Sequence, residues 1–229
     1  MEITSIRIFL NRNGEDSKVK GVAHMVMNNA IVMRRIHIVE DDNNPGVLHV
    51  VYPVYHLKAV PAMAEDDKGY RRCYYASDPE NRERFNAAVL DAYNQVLADP
   101  EHNTVHLGPE DAPEIAFKVT DATIYPHLND PTSNTLAKVN VELDNQLWLR
   151  GMFLMKRDDG TMFLRMPVRT NADGRRVNLY HPRTQATRDM LTDAVLPLYE
   201  AAVEAAEAEA DADAVPDTDT LEDDGKIPT

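Results

Sequence analysis

Cysteine is nearly absent: Cys73 is the only one in 229 residues. No disulfide can close within the chain and one thiol cannot build a zinc knuckle, which fits a reducing compartment. Long apolar runs are missing as well. No segment approaches the roughly 20 apolar residues that span a bilayer. The opening residues, MEITSIRIFL, lack the basic region, the apolar run and the small-residue cleavage site of a signal peptide. The expectation is a soluble, cytoplasmic protein with no membrane partner. Eight histidines are scattered, and none falls in a His-Glu-x-x-His or His-x-x-Glu-His pattern. There is no glycine-rich phosphate loop and no nucleophile elbow. Enzymatic activity, metals and cofactors are therefore not expected. His181, just before Pro182, reads as a structural turn residue. Cys73, beside Arg72, is either a buried thiol or one whose pKa is lowered.

Positive charge is also scarce, with 24 Lys and Arg against 38 Asp and Glu, for a net charge of −14. The excess is local. Residues 200–229 hold 11 acids and one base, so −10 of the −14 lies there and −4 remains for residues 1–199. The folded part is only mildly acidic, and nucleic acid is not excluded as a partner.

What is present in abundance is repetition. Tyr180–Tyr199, YHPRTQATRDMLTDAVLPLY, has an upstream counterpart in Tyr74–Tyr93, YYASDPENRERFNAAVLDAY. At constant offset Tyr74 aligns with Tyr180, Arg82 with Arg188, Phe85 with Leu191, Val89 with Val195 and Tyr93 with Tyr199. Such internal repeats decide the architecture, and here one unit is used twice. Before the first helix, Ile3–Asn11, Val19–Met27, Ala30–Val39 and Val47–Val54 read as strands, with a short extra one at Tyr70–Tyr74. Gly14-Glu15-Asp16 and DDNNPG at 41–46 are turns. Asn28-Asn29 suits a tight hairpin, because Asn tolerates positive φ. Ser77 or Asp78 can cap the helix, with Pro79 at its first position and Glu80 at capping-box spacing from Ser77. Phe85, Val89, Ala92, Tyr93 and Val96 then form one apolar face.

The second unit restarts at Val119-Thr120-Asp121, which matches Ile3-Thr4-Ser5. Its strands are Thr135–Leu143, Gln146–Met155, Met162–Met166 and Arg176–Leu179, with Asp144-Asn145 at the hairpin. Its helix begins near Thr184, contains Pro197 and continues past Tyr199. The expected fold is α+β: two tandem units, each an antiparallel sheet of four to five strands with a C-terminal helix, paired as a pseudo-two-fold dimer. The boundaries are 1–98, a proline-rich linker over 99–116, 117–203, and an acidic tail over 204–229 that is partly helical and then disordered.

The ordered set Met166-Pro167, Asp173-Gly174, His181-Pro182, Thr187-Arg188, Asp193-Ala194-Val195 and Tyr199 resembles the SpoVG family of small bacterial proteins. The first unit matches at Ile3-Thr4, Ile36–Val39, Tyr52-Pro53, Arg82, Arg84, Ala88-Val89 and Tyr93. The resemblance covers nearly all of 1–100 and 117–200. It implies a homodimer-forming α+β unit that binds DNA or RNA as a regulator, without enzymatic activity. Two units in one chain look like that dimer fused, which makes the pairing independent of concentration. The family's basic pair before the helix survives as Arg82 and Arg84 in the first unit. In the second unit Met190 follows Arg188 in that pattern. Arg82 and Arg84 are accordingly expected to matter more than Arg188.

The candidate nucleic-acid ligands are Arg34 and Arg35, Arg71 and Arg72, Arg82 and Arg84, Arg150, Arg169, Arg175 and Arg176, Arg183 and Arg188; Arg165 lies among them. Arginine suits bidentate phosphate contact, and helix starts add backbone N–H donors. The alternative is that these arginines pair with the many carboxylates around them. Tyr70, Tyr74, Tyr75 and Tyr180 could stack bases or simply fill the core. Other readings stay open: an adaptor or inhibitor that binds a protein through its acidic surface and the His56–Lys68 loop, or an acidic tail that recruits partners as in single-stranded-DNA-binding proteins. Pseudo-dimers could also associate further into homo-oligomers.

Overall fold

The computed structural model describes residues 1–11, 17–56, 70–109, 111–127, 133–171 and 173–213. The Gly14-Glu15-Asp16 turn, the loop after His56 and the last residues of the tail lie outside these.

The first sheet is built from β1 (Ile3–Leu10), β2 (Val19–Met27), β3 (Ile31–Glu40) and β4 (Leu48–Val51). All neighbours are antiparallel, and Asn28-Asn29 turns β2 into β3 with φ of 52° and 51°. Both turn residues are left-handed, as a type I′ hairpin requires, and Asn accepts that conformation at low cost. The Asn28 side-chain oxygen also accepts the Glu2 N–H at 2.6 Å, which ties the start of β1 to the turn. Two short strands follow: β5 (Val54–His56) pairs with β6 (Tyr70–Arg72) in a separate two-stranded arm. Then come β7 (Tyr74–Ala76) and helix α1 (Pro79–Ala98). Asp78, not Ser77, is the cap: its carboxylate accepts the Asn81 N–H at 2.8 Å, with Pro79 in the first turn. Phe85, Val89, Ala92, Tyr93 and Val96 are buried against the sheet.

The second unit repeats the plan with β9 (Val119–Pro126), β10 (Thr135–Leu143), β11 (Leu147–Lys156), β12 (Met162–Arg165), an arm of β13 (Val168–Thr170) and β14 (Arg176–Asn178), β15 (Tyr180–Pro182) and α2 (Gln185–Asp213). Asp144 and Asn145, at φ 51° and 54°, form the equivalent hairpin, and Asp144 accepts the Lys118 N–H as Asn28 does that of Glu2. Thr184 caps α2 by accepting the Thr187 N–H at 3.1 Å. Helix α2 runs well beyond Tyr199 and includes Pro197.

Two features depart from the sequence reading. The stretch read as a linker contributes β8 (Thr104–His106), which extends the first sheet by pairing with β1. His181 is not in a turn; it lies in β15, paired with Val32 of β3.

That pairing exposes the main topological fact. The short strand before each helix joins the sheet of the other unit: β15 of the second unit pairs with β3, and β7 of the first pairs with β11. The first sheet therefore runs β15-β3-β2-β1-β8, with β4 on the far end of β3's edge, and the second runs β12-β11-β10-β9, with β7 alongside β11. Further bonds extend the exchange: Arg34 N–H donates to Leu179 O at 2.8 Å and Arg150 N–H to Cys73 O at 2.7 Å. Tyr74 and Tyr180 meet at the seam, fully buried, with ring centroids 6.1 Å apart and nearly perpendicular planes. Each hydroxyl donates across the seam, Tyr74 to Arg34 O at 2.5 Å and Tyr180 to Arg150 O at 2.9 Å. One continuous apolar core spans both units. Among the described residues, no helix is long and apolar enough to cross a membrane.

Candidate nucleic-acid interface

Strand alternation gives each sheet two faces. In the first sheet Ile6, Ile8, Ala23, Met25, Met33 and Ile36 point into the core. The intervening positions form the opposite face. There Arg7 stands across from His24, and Val32 across from His181. Between Ala23 and Met25 the register with β3 shifts, a β-bulge that sets Arg34 and Arg35 opposite His24. Arg35 is left-handed, with φ 64°. The cluster is dense enough that burial, aided by Arg34, Arg7, Arg35 and His181, drives the His24 pKa down to about 4. Burial and Arg35 and Arg169 also lower His37. His24 is therefore neutral at pH 7, and the positive charge belongs to the arginines. Arg7, His24, Arg34, Arg183 and Thr104 line a cleft of about 610 Å³.

The second sheet carries the same bulge between Val139 and Val141, with Arg150 and Gly151 in the places of Arg34 and Arg35. Asn140 takes the place of His24 and accepts the Gly151 N–H at 3.1 Å. The Arg150 guanidinium lies 4.7 Å from the Tyr75 ring and 5.9 Å from Trp148. Lys138 lies 5.3 Å from the Tyr55 ring and 5.9 Å from Tyr125. Burial, then Arg150 and Arg71, lowers the Lys138 pKa.

The two arms bring further residues to these faces. Tyr55 of β5 packs over Gly151. Arg169 of β13 approaches His37 and Cys73 closely enough to influence both. Cys73 itself is buried, and burial raises its pKa to about 12, so it is the inert thiol.

The arginines singled out in the sequence fall into three groups. Arg34, Arg35 and Arg150 belong to the sheet faces, and Arg169, on the arm strand β13, approaches the first face. None of them is within ion-pair distance of a described carboxylate. The Nε atoms of Arg34, Arg35 and Arg150 are buried without a hydrogen-bond partner among the described residues. Arg71, Arg72, Arg175 and Arg176 sit on the arms. The helix-start group is more occupied. Arg84 donates to Met1 O at 3.1 Å, Asn81 Oδ1 at 2.8 Å and Gln146 Oε1 at 3.0 Å, and so binds the two units together. Arg188 donates to Leu164 O. Arg82 is exposed, and Arg183 joins the cleft. Of the tyrosines, Tyr74 and Tyr180 are fully buried and cannot stack a ligand; Tyr75 lies half-buried beside Arg150.

Arg7, His24, Tyr55, Lys138 and Trp148 were not singled out as site residues. For Arg7, His24, Lys138 and Trp148 the signal was available in the strand phase, since each occupies a position out of step with the buried ones; Tyr55, on the short arm, has no such phase. Among the described residues, no group of three or more His, Cys, Asp and Glu could hold a metal.

The SpoVG family model matches residues 1–95 and 117–201. A protein named septation protein SpoVG from Caldicellulosiruptor bescii is 32% identical over 91 residues, 40% of this chain and all of the relative. Proteins of the same name from Archaeoglobus fulgidus and Brevibacillus brevis are 28% and 26% identical, over 36% and 47% of this chain and 94% and 99% of their own length. Each relative thus corresponds to about half of this molecule. The chain belongs to the SpoVG family and carries the family's unit twice.

Proposed function

We propose that the protein is a non-enzymatic, cytoplasmic regulator that binds DNA or RNA as a single-chain pseudo-dimer. One observation carries this reading. In a chain with 38 acidic residues, Arg34, Arg35 and Arg150 stand on the sheet faces without a carboxylate partner among the described residues. Unneutralised, partly buried guanidinium groups repel one another and lose hydration. That arrangement makes sense when an anionic partner completes them. Phosphate oxygens match the guanidinium fork. Residues 200–229, with their excess of acids, would compete for the same surface.

The test is fluorescence anisotropy with labelled single-stranded DNA, duplex DNA and RNA at several salt concentrations. Binding should fall steeply with salt, with a log–log slope that reports the number of phosphates contacted. A chain lacking residues 214–229 should bind more tightly. Absence of salt-sensitive binding to every probe would overturn the reading. A stoichiometric protein partner that survives nuclease treatment would favour an adaptor instead.

A further inference from the structure

We propose that the two outer sheet faces divide the recognition of a single-stranded nucleic acid, the first face taking its phosphates and the second stacking its unpaired bases. The inference rests on the nucleic-acid reading above and names the ligand class.

The strand registers make the two faces comparable position by position. The pair Arg7–His24 in the first sheet corresponds to Thr123–Asn140 in the second. The pair Val32–His181 corresponds to Trp148–Tyr75. Phe9–Val22 corresponds to Tyr125–Lys138. At the bulge, Arg34-Arg35 corresponds to Arg150-Gly151. Most of the substitutions run in one direction, although Lys138 replaces Val22 and Arg150 keeps the cation of Arg34. At Arg7, His24, Arg35 and His181 of the first face the second has Thr123, Asn140, Gly151 and Tyr75, a neutral residue or a ring each time.

The arms follow the same rule. Tyr55 lies over Gly151, and its ring carbon Cε1 is 3.4 Å from where a Cβ at residue 151 would be. A Cβ would just touch the ring, and a side chain longer than alanine would compete with it for the same space. On the first face Arg169 approaches instead, near Arg35 and His37. The second face also presents Asp121 and Glu142, cross-strand partners at positions held by Ser5 and Val26 on the first. These carboxylates disfavour a phosphate backbone. They are compatible with neutral base rings lying on Trp148, Tyr75 and the Arg150 plane between them.

Stacking of this kind needs base faces that a duplex hides within its own stack. Single strands expose them, and every base offers one, so the preference is for strandedness rather than sequence. Phosphates displaced to the first face would meet Arg7, Arg34 and Arg35, with the cleft beside them.

Trp148 is the only tryptophan, so its emission reports on the second face directly. The full chain is titrated with oligothymidine of about 12 nucleotides, with oligouridine of the same length, and with a hairpin duplex. Both single strands should quench Trp148 and bind about tenfold or more tighter than the duplex. Tyr75→Leu should weaken single-strand binding by about tenfold with an unchanged salt slope. Arg34→Gln should instead reduce the salt slope by about one. Thermal melts confirm that each variant is folded. The division of labour is overturned if the duplex binds as tightly as the single strand, or if a strand binds while Trp148 emission stays constant. If nothing binds, the nucleic-acid reading itself falls.

Discussion

Residue 35 and residue 151 occupy the same bulge, yet one is Arg at φ 64° and the other Gly at φ 78°. A side chain in the left-handed region costs about 1–2 kcal/mol, and only Gly escapes that cost. Arg35→Gly removes it. Against this stands the extra freedom of Gly in the unfolded chain, about 0.4–1 kcal/mol. The Arg35 Nε is buried without a partner among the described residues, so losing the guanidinium relieves a desolvation cost that roughly offsets the lost packing of its alkyl stem. The net expectation is a gain of about 0.5–1 kcal/mol, or a rise in Tm of about 1–4 °C for a chain of this size. Arg35→Ala retains the strain and should fall about 1 kcal/mol below Arg35→Gly. The reciprocal Gly151→Ala introduces the strain while bringing its Cβ only into ordinary contact with Tyr55, costing about 1–2 kcal/mol. Urea denaturation followed by Trp148 fluorescence measures all three, provided that m is unchanged. Stability is expected to rise in Arg35→Gly while affinity for oligonucleotides falls, which is the signature of strain held for function. If Arg35→Gly is destabilised by more than about 1 kcal/mol, or if Gly and Ala at position 35 are equal, Arg35 serves the fold and the reasoning fails.

Three other outcomes follow from the seam and the basic face. Tyr74→Phe leaves the Arg34 carbonyl without its cross-seam donor and should cost about 1–3 kcal/mol in chemical denaturation. A loss below about 0.3 kcal/mol would mean that the bond is not made in solution. His24 titrates near its ordinary 6.5 when unfolded and near 4 when folded, so between those values the unfolded chain binds more protons. Stability then rises with pH across that window and is lost as pH falls through it. His24→Asn should flatten the profile by about 1–2 kcal/mol once partial solvent exposure is allowed for; a profile unchanged by the substitution counts against the cluster. The first unit alone, residues 1–110, should be a dimer by analytical ultracentrifugation, since its β7 must find the β3 of a copy. A stable, native-like monomer would contradict the exchange.

Much of the architecture was legible because each local signal agreed with the global fold. The Asn28-Asn29 and Asp144-Asn145 hairpins announce themselves through residues that tolerate positive φ. The helix face Phe85-Val89-Ala92-Tyr93-Val96 follows from period alone. The exchange of β7 and β15 was not legible. A three-residue strand has no periodicity to read, and nothing in Tyr74–Ala76 or Tyr180–Pro182 tells which sheet accepts it. Strand β8 was obscured for a similar reason: Thr104–His106 is short, only Val105 is apolar, and prolines lie on both sides of it. At the candidate site, counting arginines located Arg34, Arg35 and Arg150 but could not separate them from Arg84, whose guanidinium holds the seam. That separation needs to know which carbonyls the tertiary fold brings within reach.

The asymmetry of the two faces bears on why the units share one chain. In a homodimer every substitution appears on both faces, so an arginine at the bulge would impose its strain and its charge twice. Tyr55 could then not lie on either sheet, because residue 151 would carry a side chain too. Fusion removes that constraint. The first face can hold Arg35 in a left-handed backbone while the second keeps Gly151 beneath a ring. The exchanged strands matter here, since each face borrows from the other unit: His181 completes the first, and Tyr75 with Tyr55 completes the second. Neither unit alone could therefore present either complete surface. The helix starts have diverged too, with Met190 in the place of Arg84, but there Arg84 and Arg188 are engaged by the fold itself rather than left for a ligand.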